Sequence, residues 1–218
     1  MLFSITLDSV SGHLRKIKNI SIIRNVMKVV IEQVLSSLYQ QFGASVVFSV
    51  LFMIVYMYAE KEGWRSVLKS FYSRIKADKF YRLKLCLSFY LAMILFRTLF
   101  CRELYMYSLR DVIGKWNLYD TDGNLITEGI ENVILFIPFA WLYIAIYATK
   151  SGKIMSRCIV KSVLISFGLS VSIEFLQLFL KLGTFQLSDL FYNTLGGFIG
   201  GVIFWICNTI KGFADSRI

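Results

Sequence analysis

The sequence predicts an all-α, polytopic membrane helix bundle with about five transmembrane helices, an N-terminal amphipathic helix and a short extracellular hairpin loop. Three observations predict it. Of 218 residues, 56% are hydrophobic and 17% charged, against about 45–50% and about 25% in an ordinary soluble domain. Mean hydropathy is +0.62. The apolar residues also fall in blocks, each close to the roughly 20 residues a helix needs to cross a bilayer.

The first element is an N-terminal basic amphipathic arm, residues 1–41. It carries Arg15, Lys16, Lys18, Arg24 and Lys28, while Ile20, Ile23, Met27, Val30 and Val34 recur at helical spacing. Such an arm either lies at the membrane interface or extends the first span. It is too charged for the core of a signal peptide. Five apolar windows follow. Phe42–Ala59 is uncharged; Leu83–Cys101 holds Lys84 near one edge and Arg97 towards the other. Asn132–Tyr147 is uncharged, Cys158–Leu180 contains Lys161 and Glu174, and Leu190–Asn208 closes the hydrophobic sequence.

Orientation follows from the basic residues between the windows. Lys61, Arg65, Lys69, Arg74, Lys76, Lys79 and Arg82 lie in the 60–82 connection, Lys150, Lys153 and Arg157 in 148–157, and Lys211 and Arg217 in the tail. Five spans put these three segments on one face, which is therefore expected to be cytoplasmic. Residues 42–82 make a unit of first transmembrane helix and basic cytoplasmic loop, and 210–218 a cytoplasmic tail. The opposite face receives Cys101–Glu131, with three basic and six acidic residues. An outside N-terminus completes this topology, yet the arm is basic, so the side it takes stays open.

Net charge is +10. On a soluble fold that charge would form a stripe for nucleic acid; here it sits between apolar blocks, where it suits an anionic lipid surface. Nucleic acid is therefore not an expected partner, and membrane lipids are. Cys86, Cys101, Cys158 and Cys207 have no C-x-x-C spacing and read as small buried hydrophobes. With His13 the single histidine, no zinc site of ordinary composition can form, and no metal or cofactor is expected. Asp120-Thr-Asp-Gly123 lies between Trp116–Tyr119 and Asn124–Thr127 and predicts a hairpin turn. An EF-hand needs glycine at its sixth position, whereas Gly123 stands fourth from Asp120.

Ionisable groups inside a span cost several kcal/mol on most scales and call for a reason. Lys84 and Lys161 lie near the expected cytoplasmic ends and can snorkel. Arg97 and Glu174 lie towards the outer ends. Glu174 and Gln177 share one helix face; Asp189, Asn193, Gly197 and Gly201 follow at steps of four at the start of the fifth span. Asn132 opens the third span, which Pro138 interrupts. Arg97, Asn132, Glu174, Gln177, Asp189 and Asn193 thus share one depth, which predicts a polar ligand-binding pocket at the outer leaflet. A plainer role exists for each: an Arg97–Glu174 ion pair tying helices together, Asp189 as a helix cap. Gly196, Gly197, Gly200 and Gly201 suit close helix packing, as does Pro138 a packing role.

Glu131-Asn132-x5-Pro138-Phe139, Ile173-Glu174-x-x-Gln177 and Asp189-x-x-x-Asn193-x-x-Gly196, in this order and each at a span boundary, resemble the VanZ-like proteins. The resemblance covers roughly residues 83–208 and makes 83–209 a VanZ-like transmembrane core. Ala140 departs from it, standing where glycine often follows the Pro-Phe pair, and the basic arm lies beyond the family's core. The resemblance implies a multi-pass protein of the bacterial plasma membrane. The family's founding member is associated with resistance to teicoplanin, a glycopeptide acting on cell-wall precursors.

From that resemblance and the pocket, the leading expectation is a role in glycopeptide resistance or the cell envelope, through binding a lipid-linked cell-wall precursor or an amphiphile such as the glycopeptide. A membrane enzyme is the alternative, with Glu174 and Asp189 as acid and base on a lipid-linked substrate. Against it, no Ser-His arrangement or phosphate-binding glycine loop is present. A small transporter is the second alternative, although no inverted repeat is visible. An oligomer formed through the glycine-rich fifth helix is compatible with the sequence.

Overall fold

The computed structural model describes residues 2–58, 64–100, 104, 111–117, 119, 125–151 and 155–215, with side chains described outside 2–22, 149–156 and 211–215. It contains α1 (Leu2–Tyr58), α2 (Trp64–Ala77), α3 (Lys79–Leu95) continued by a π-helical turn at Phe96–Phe100, α4 (Glu128–Ser151), α5 (Met155–Leu180) and α6 (Leu187–Asp215). The chain divides into two units, Met1–Tyr39 and Gln40–Ile218.

In the first unit, the described part of α1 carries a Lys28–Glu32 ion pair at 3.7 Å, an i,i+4 contact on an exposed face. The backbone of this unit is helical from Leu2 onward, so the arm is helical as its periodicity predicts.

In the second unit the sequence-derived windows are helices. Among the described residues, five segments are long and apolar enough to cross a membrane: Ile23–Tyr58, Lys79–Phe100, Glu128–Ala148, Arg157–Leu180 and Leu187–Ile210. Each extends past the apolar window that identifies it, because Lys and Arg stems and interfacial tyrosines continue a helix beyond the hydrocarbon without exposing backbone groups. The connection read from sequence as a basic loop contains a helix of its own, α2. Its Val67 is fully buried with Met53, Met57 and Tyr81, and Phe71 and Ile75 pack around them. The Tyr81 hydroxyl donates to Met57 Sδ at 3.0 Å. Asp78 separates α2 from α3 and caps the latter, accepting from the Phe80 N–H at 2.8 Å. Arg82 Nη1 donates to the Ile75 and Lys76 carbonyls, both at 3.0 Å, covering the otherwise unpaired C-terminal end of α2.

α6 packs on both α4 and α5, and α4 also packs on α3. The doubled glycine pairs make this possible. A Cβ on Gly196 or Gly200 would lie 2.5 Å from the Val133 carbonyl oxygen or 2.4 Å from that of Ile137, on α4. A Cβ on Gly197 or Gly201 would lie 2.3 Å from Ser166 Oγ or 2.1 Å from Ser162 Oγ, on α5. Consecutive glycines point about 100° apart on a helix, so one pair serves each neighbour. Gly200 also meets Ala140 at 3.0 Å from its added Cβ, which keeps small residues opposed where Ala140 departs from the family pattern. Pro138 sits inside α4; lacking an N–H, it withholds the helical donor from the Ile134 carbonyl.

At the other end of the bundle, Ile144, Cys158 and Phe204 form a buried cluster. There Lys161 Nζ lies 4.0 Å from the centre of the Tyr147 ring, and in α3 Lys84 Nζ lies 4.9 Å from that of Phe80. Both lysines find an aromatic face near a span end. The acidic connection is bridged antiparallel between Tyr119 and Leu125; the turn predicted at Asp120–Asn124 lies outside the described residues.

Candidate functional site

The end of the bundle where α3 finishes, α4 begins, α5 finishes and α6 begins gathers the polar side chains. α5 presents a buried polar face at near-helical repeats: Ser162, Ser166, Ser170, Glu174 and Gln177. Its serines fit beside the α6 glycines, and its two larger polar groups fall where the helix ends. That end is a Schellman cap. The Leu182 N–H donates to the Gln177 carbonyl at 2.8 Å, the Lys181 N–H reaches that of Leu178 at 3.4 Å, and Lys181 takes φ 55°. Gly183, at φ 105°, continues the reversal. The chain therefore folds back over α5, and the Gln186 N–H donates to Glu174 Oε2 at 2.8 Å. Glu174 is 1% exposed. A buried carboxylate fixed by a backbone donor closes the α5–α6 corner.

Gln177, also 1% exposed, reaches across the bundle. Its Nε2 donates to the Thr98 carbonyl at 2.8 Å. Thr98 lies in the π-helical turn Phe96–Phe100. Its own hydroxyl donates back to the Ile94 carbonyl at 2.7 Å. In the same turn Arg97 forms an ion pair with Glu131 in the first turn of α4, with side chains 18% and 11% exposed. Thr127 Oγ1 donates to the other oxygen of that carboxylate, at 2.6 Å. Glu131 thus holds the π turn against α4.

The adjacent residue, Asn132, donates from Nδ2 to Asp189 Oδ1 at 3.0 Å, joining α4 to α6. Asp189 lies in the first turn of α6, where a carboxylate is favoured by the N–H groups of the helix end. One turn on, Asn193 donates from Nδ2 to Ser170 Oγ at 2.9 Å, joining α6 to α5. Interhelical hydrogen bonds of this kind contribute about 0.6 kcal/mol each, too little to assemble the bundle. Close packing along the glycine faces does that, and the polar bonds fix helix register at this end.

Of the residues singled out from sequence, Asn132 and Asp189 bond directly. Further bonds run to residues that spacing did not single out for the pocket: from Arg97 to Glu131, from Gln177 to Thr98, from Gln186 to Glu174 and from Asn193 to Ser170. A backbone carbonyl and a backbone N–H leave no mark in residue identity. Glu131 was visible as an acidic residue beside Asn132, and its pairing with Arg97 required the helix arrangement.

Among the described residues, two buried oxygens in this group, Gln177 Oε1 and Asn193 Oδ1, have no hydrogen-bond partner. Both are acceptors, so the cluster retains buried capacity for a donor. Among the described residues, no three of His, Cys, Asp and Glu come together in a metal-binding group. The site can accept and orient donor groups through the amide oxygens of Gln177 and Asn193.

The segment 111–117 lies over the start of α6. The Val112 carbonyl accepts from the Leu187 N–H at 2.9 Å. Gly114, at φ 77°, lies so near Ser188 that an added Cβ would be 2.0 Å from Oγ. The Trp116 ring packs on those of Phe191 and Tyr192, with centroids 5.3 and 5.8 Å apart. Gly129 lies beneath Tyr192, its added Cβ 2.6 Å from the ring.

The family model described as VanZ/LLP1 matches residues 87–208, which contain every residue of this cluster. Neither a curated protein nor a solved structure matches the chain.

Proposed function

The chain belongs to the VanZ/LLP1 family and is a multi-pass membrane protein, and on that premise we propose that the polar cluster binds a lipid-linked cell-wall precursor or an amphiphilic glycopeptide of the teicoplanin type. The role follows from the chemistry of such ligands, whose amide and hydroxyl donors suit an acceptor-rich site beside lipid. The observation that carries this reading is the convergence of buried Asn132, Glu174, Gln177 and Asn193 from three helices, with two amide oxygens still able to accept. Arg97 and Asp189 border them. Glu174 and Asp189 each accept an N–H donor, which favours binding over proton transfer.

In this proposal the protein acts in the bacterial plasma membrane with its C-terminus cytoplasmic, and contributes to glycopeptide resistance or envelope maintenance. Susceptibility to teicoplanin is compared between cells expressing the native chain and the Glu174→Gln and Asp189→Asn variants at equal membrane abundance. Both variants are expected to lose any resistance the native chain confers. Full resistance in both would remove the cluster from the mechanism. Orientation is checked by cysteines placed at Lys61 and Asp122, with position 122 expected to react from outside; external labelling at position 61 would reverse the topology.

A further inference from the structure

α2 has a composition and a placement that the polar cluster does not use. Successive residues turn by about 100°, so Val67, Phe71 and Ile75 form the face that packs on Met53, Met57 and Tyr81. Beside this face Trp64, Leu68 and Tyr72 are 57%, 54% and 61% exposed. Arg65, Lys69 and Lys76 come next around the helix, all exposed; the remaining arc holds Ser66, Ser70, Ser73 and Ala77, with the half-buried Arg74 returning to Val67. Around the helix the order is therefore core, exposed apolar, basic, small polar.

Depth is fixed by the neighbours. Met57 lies one residue before the end of α1 and Tyr81 in the first turn of α3, so α2 packs on the terminal turns of two consecutive membrane-spanning helices. Tyr58, the last residue of α1, stacks on Trp64 with ring centroids 4.7 Å apart. Lys76 Nζ lies 4.5 Å from the centre of the Tyr72 ring, placing charge at the edge of the apolar strip. Residues 64–84 contain seven basic residues and one acidic residue, Asp78, whose carboxylate caps α3.

We propose that α2 is an interfacial helix that seats anionic phospholipid headgroups, with Trp64, Leu68 and Tyr72 entering the headgroup–acyl boundary and Arg65, Lys69 and Lys76 contacting phosphate. Water is a poor occupant for three adjacent large apolar side chains at the end of a span. A zwitterionic surface offers three exposed cations no net negative charge, whereas an anionic one attracts each of them.

The full chain is reconstituted in phosphatidylcholine vesicles containing phosphatidylglycerol, with bromine on the acyl chains of one lipid or the other. The Trp64 signal is taken as the difference between the native chain and Trp64→Phe. It is expected to be quenched by brominated phosphatidylglycerol beyond its mole fraction, and this enrichment is expected to fall as salt is raised. In the R65Q/K69Q/K76Q variant the relative affinity for phosphatidylglycerol should drop roughly fivefold per charge removed, while Ser73→Gln retains it. Thermal unfolding of the variants should match the native chain, since the three cations are exposed. Equal quenching by both lipids in the native chain overturns the proposal. So does quenching of Trp64 by aqueous acrylamide without lipid quenching, or protection from both quenchers, which would mean that a protein partner covers the face.

Discussion

Gln177 and Thr98, 79 residues apart, are joined by one buried hydrogen bond from the Gln177 side-chain amide to the Thr98 carbonyl at 2.8 Å. The bond links the last turn of α5 to the π-helical turn after α3 and gives a buried carbonyl a side-chain donor. Gln177→Met retains bulk and removes the donor. It is expected to destabilise the protein by about 1–3 kcal/mol by leaving a buried carbonyl unsatisfied, read as earlier thermal unfolding in detergent. Unchanged unfolding would show that another group or water already satisfies Thr98.

The glycines of α5 and α6 separate packing from propensity. Gly200→Ala forces a Cβ to within 2.4 Å of the Ile137 carbonyl oxygen and is expected to cost about 1–3 kcal/mol through overpacking. Gly168→Ala, where an added Cβ meets nothing within 4 Å, is expected to be neutral or to stabilise by up to about 1 kcal/mol. Comparing the two unfolding curves checks both. Equal effects would mean that α4 and α6 do not approach this closely in the membrane.

Arg97 and Glu131 should be coupled. Arg97→Gln removes the guanidinium from a largely buried carboxylate and is expected to cost on the order of 2 kcal/mol. Glu131→Gln in that background should then cost less than in the native chain, with a coupling on the order of 1 kcal/mol in a double-mutant cycle. Additive effects would reduce the pair to proximity.

Lys181 holds φ 55° at the Schellman cap of α5, a conformation that costs a side-chain-bearing residue about 1–2 kcal/mol and glycine little. Lys181→Gly is accordingly expected to stabilise the chain by about 1 kcal/mol, visible as later thermal unfolding. A loss of stability would show that the lysine side chain contributes more than its backbone strain removes.

The sequence by itself determined the five apolar spans, the helical arm and the family, and led to the expectation of one depth for Arg97, Asn132, Glu174, Gln177, Asp189 and Asn193. Hydropathy and span length are local properties, and position along a span converts directly to depth at a fixed rise per residue. Tertiary structure alone decided the partners. Depth says nothing of rotation about a helix axis or of which helices are neighbours, so the sequence did not reveal that Glu131 pairs with Arg97. Nor did it reveal that a carbonyl and an amide N–H would engage Gln177 and Glu174. The helical state of α2 was likewise hidden, because its charges resemble those of a loop until Val67 is seen against Met53, Met57 and Tyr81. The two glycine pairs of α6 were legible as packing residues, but their division between α4 and α5 follows from the three-helix geometry.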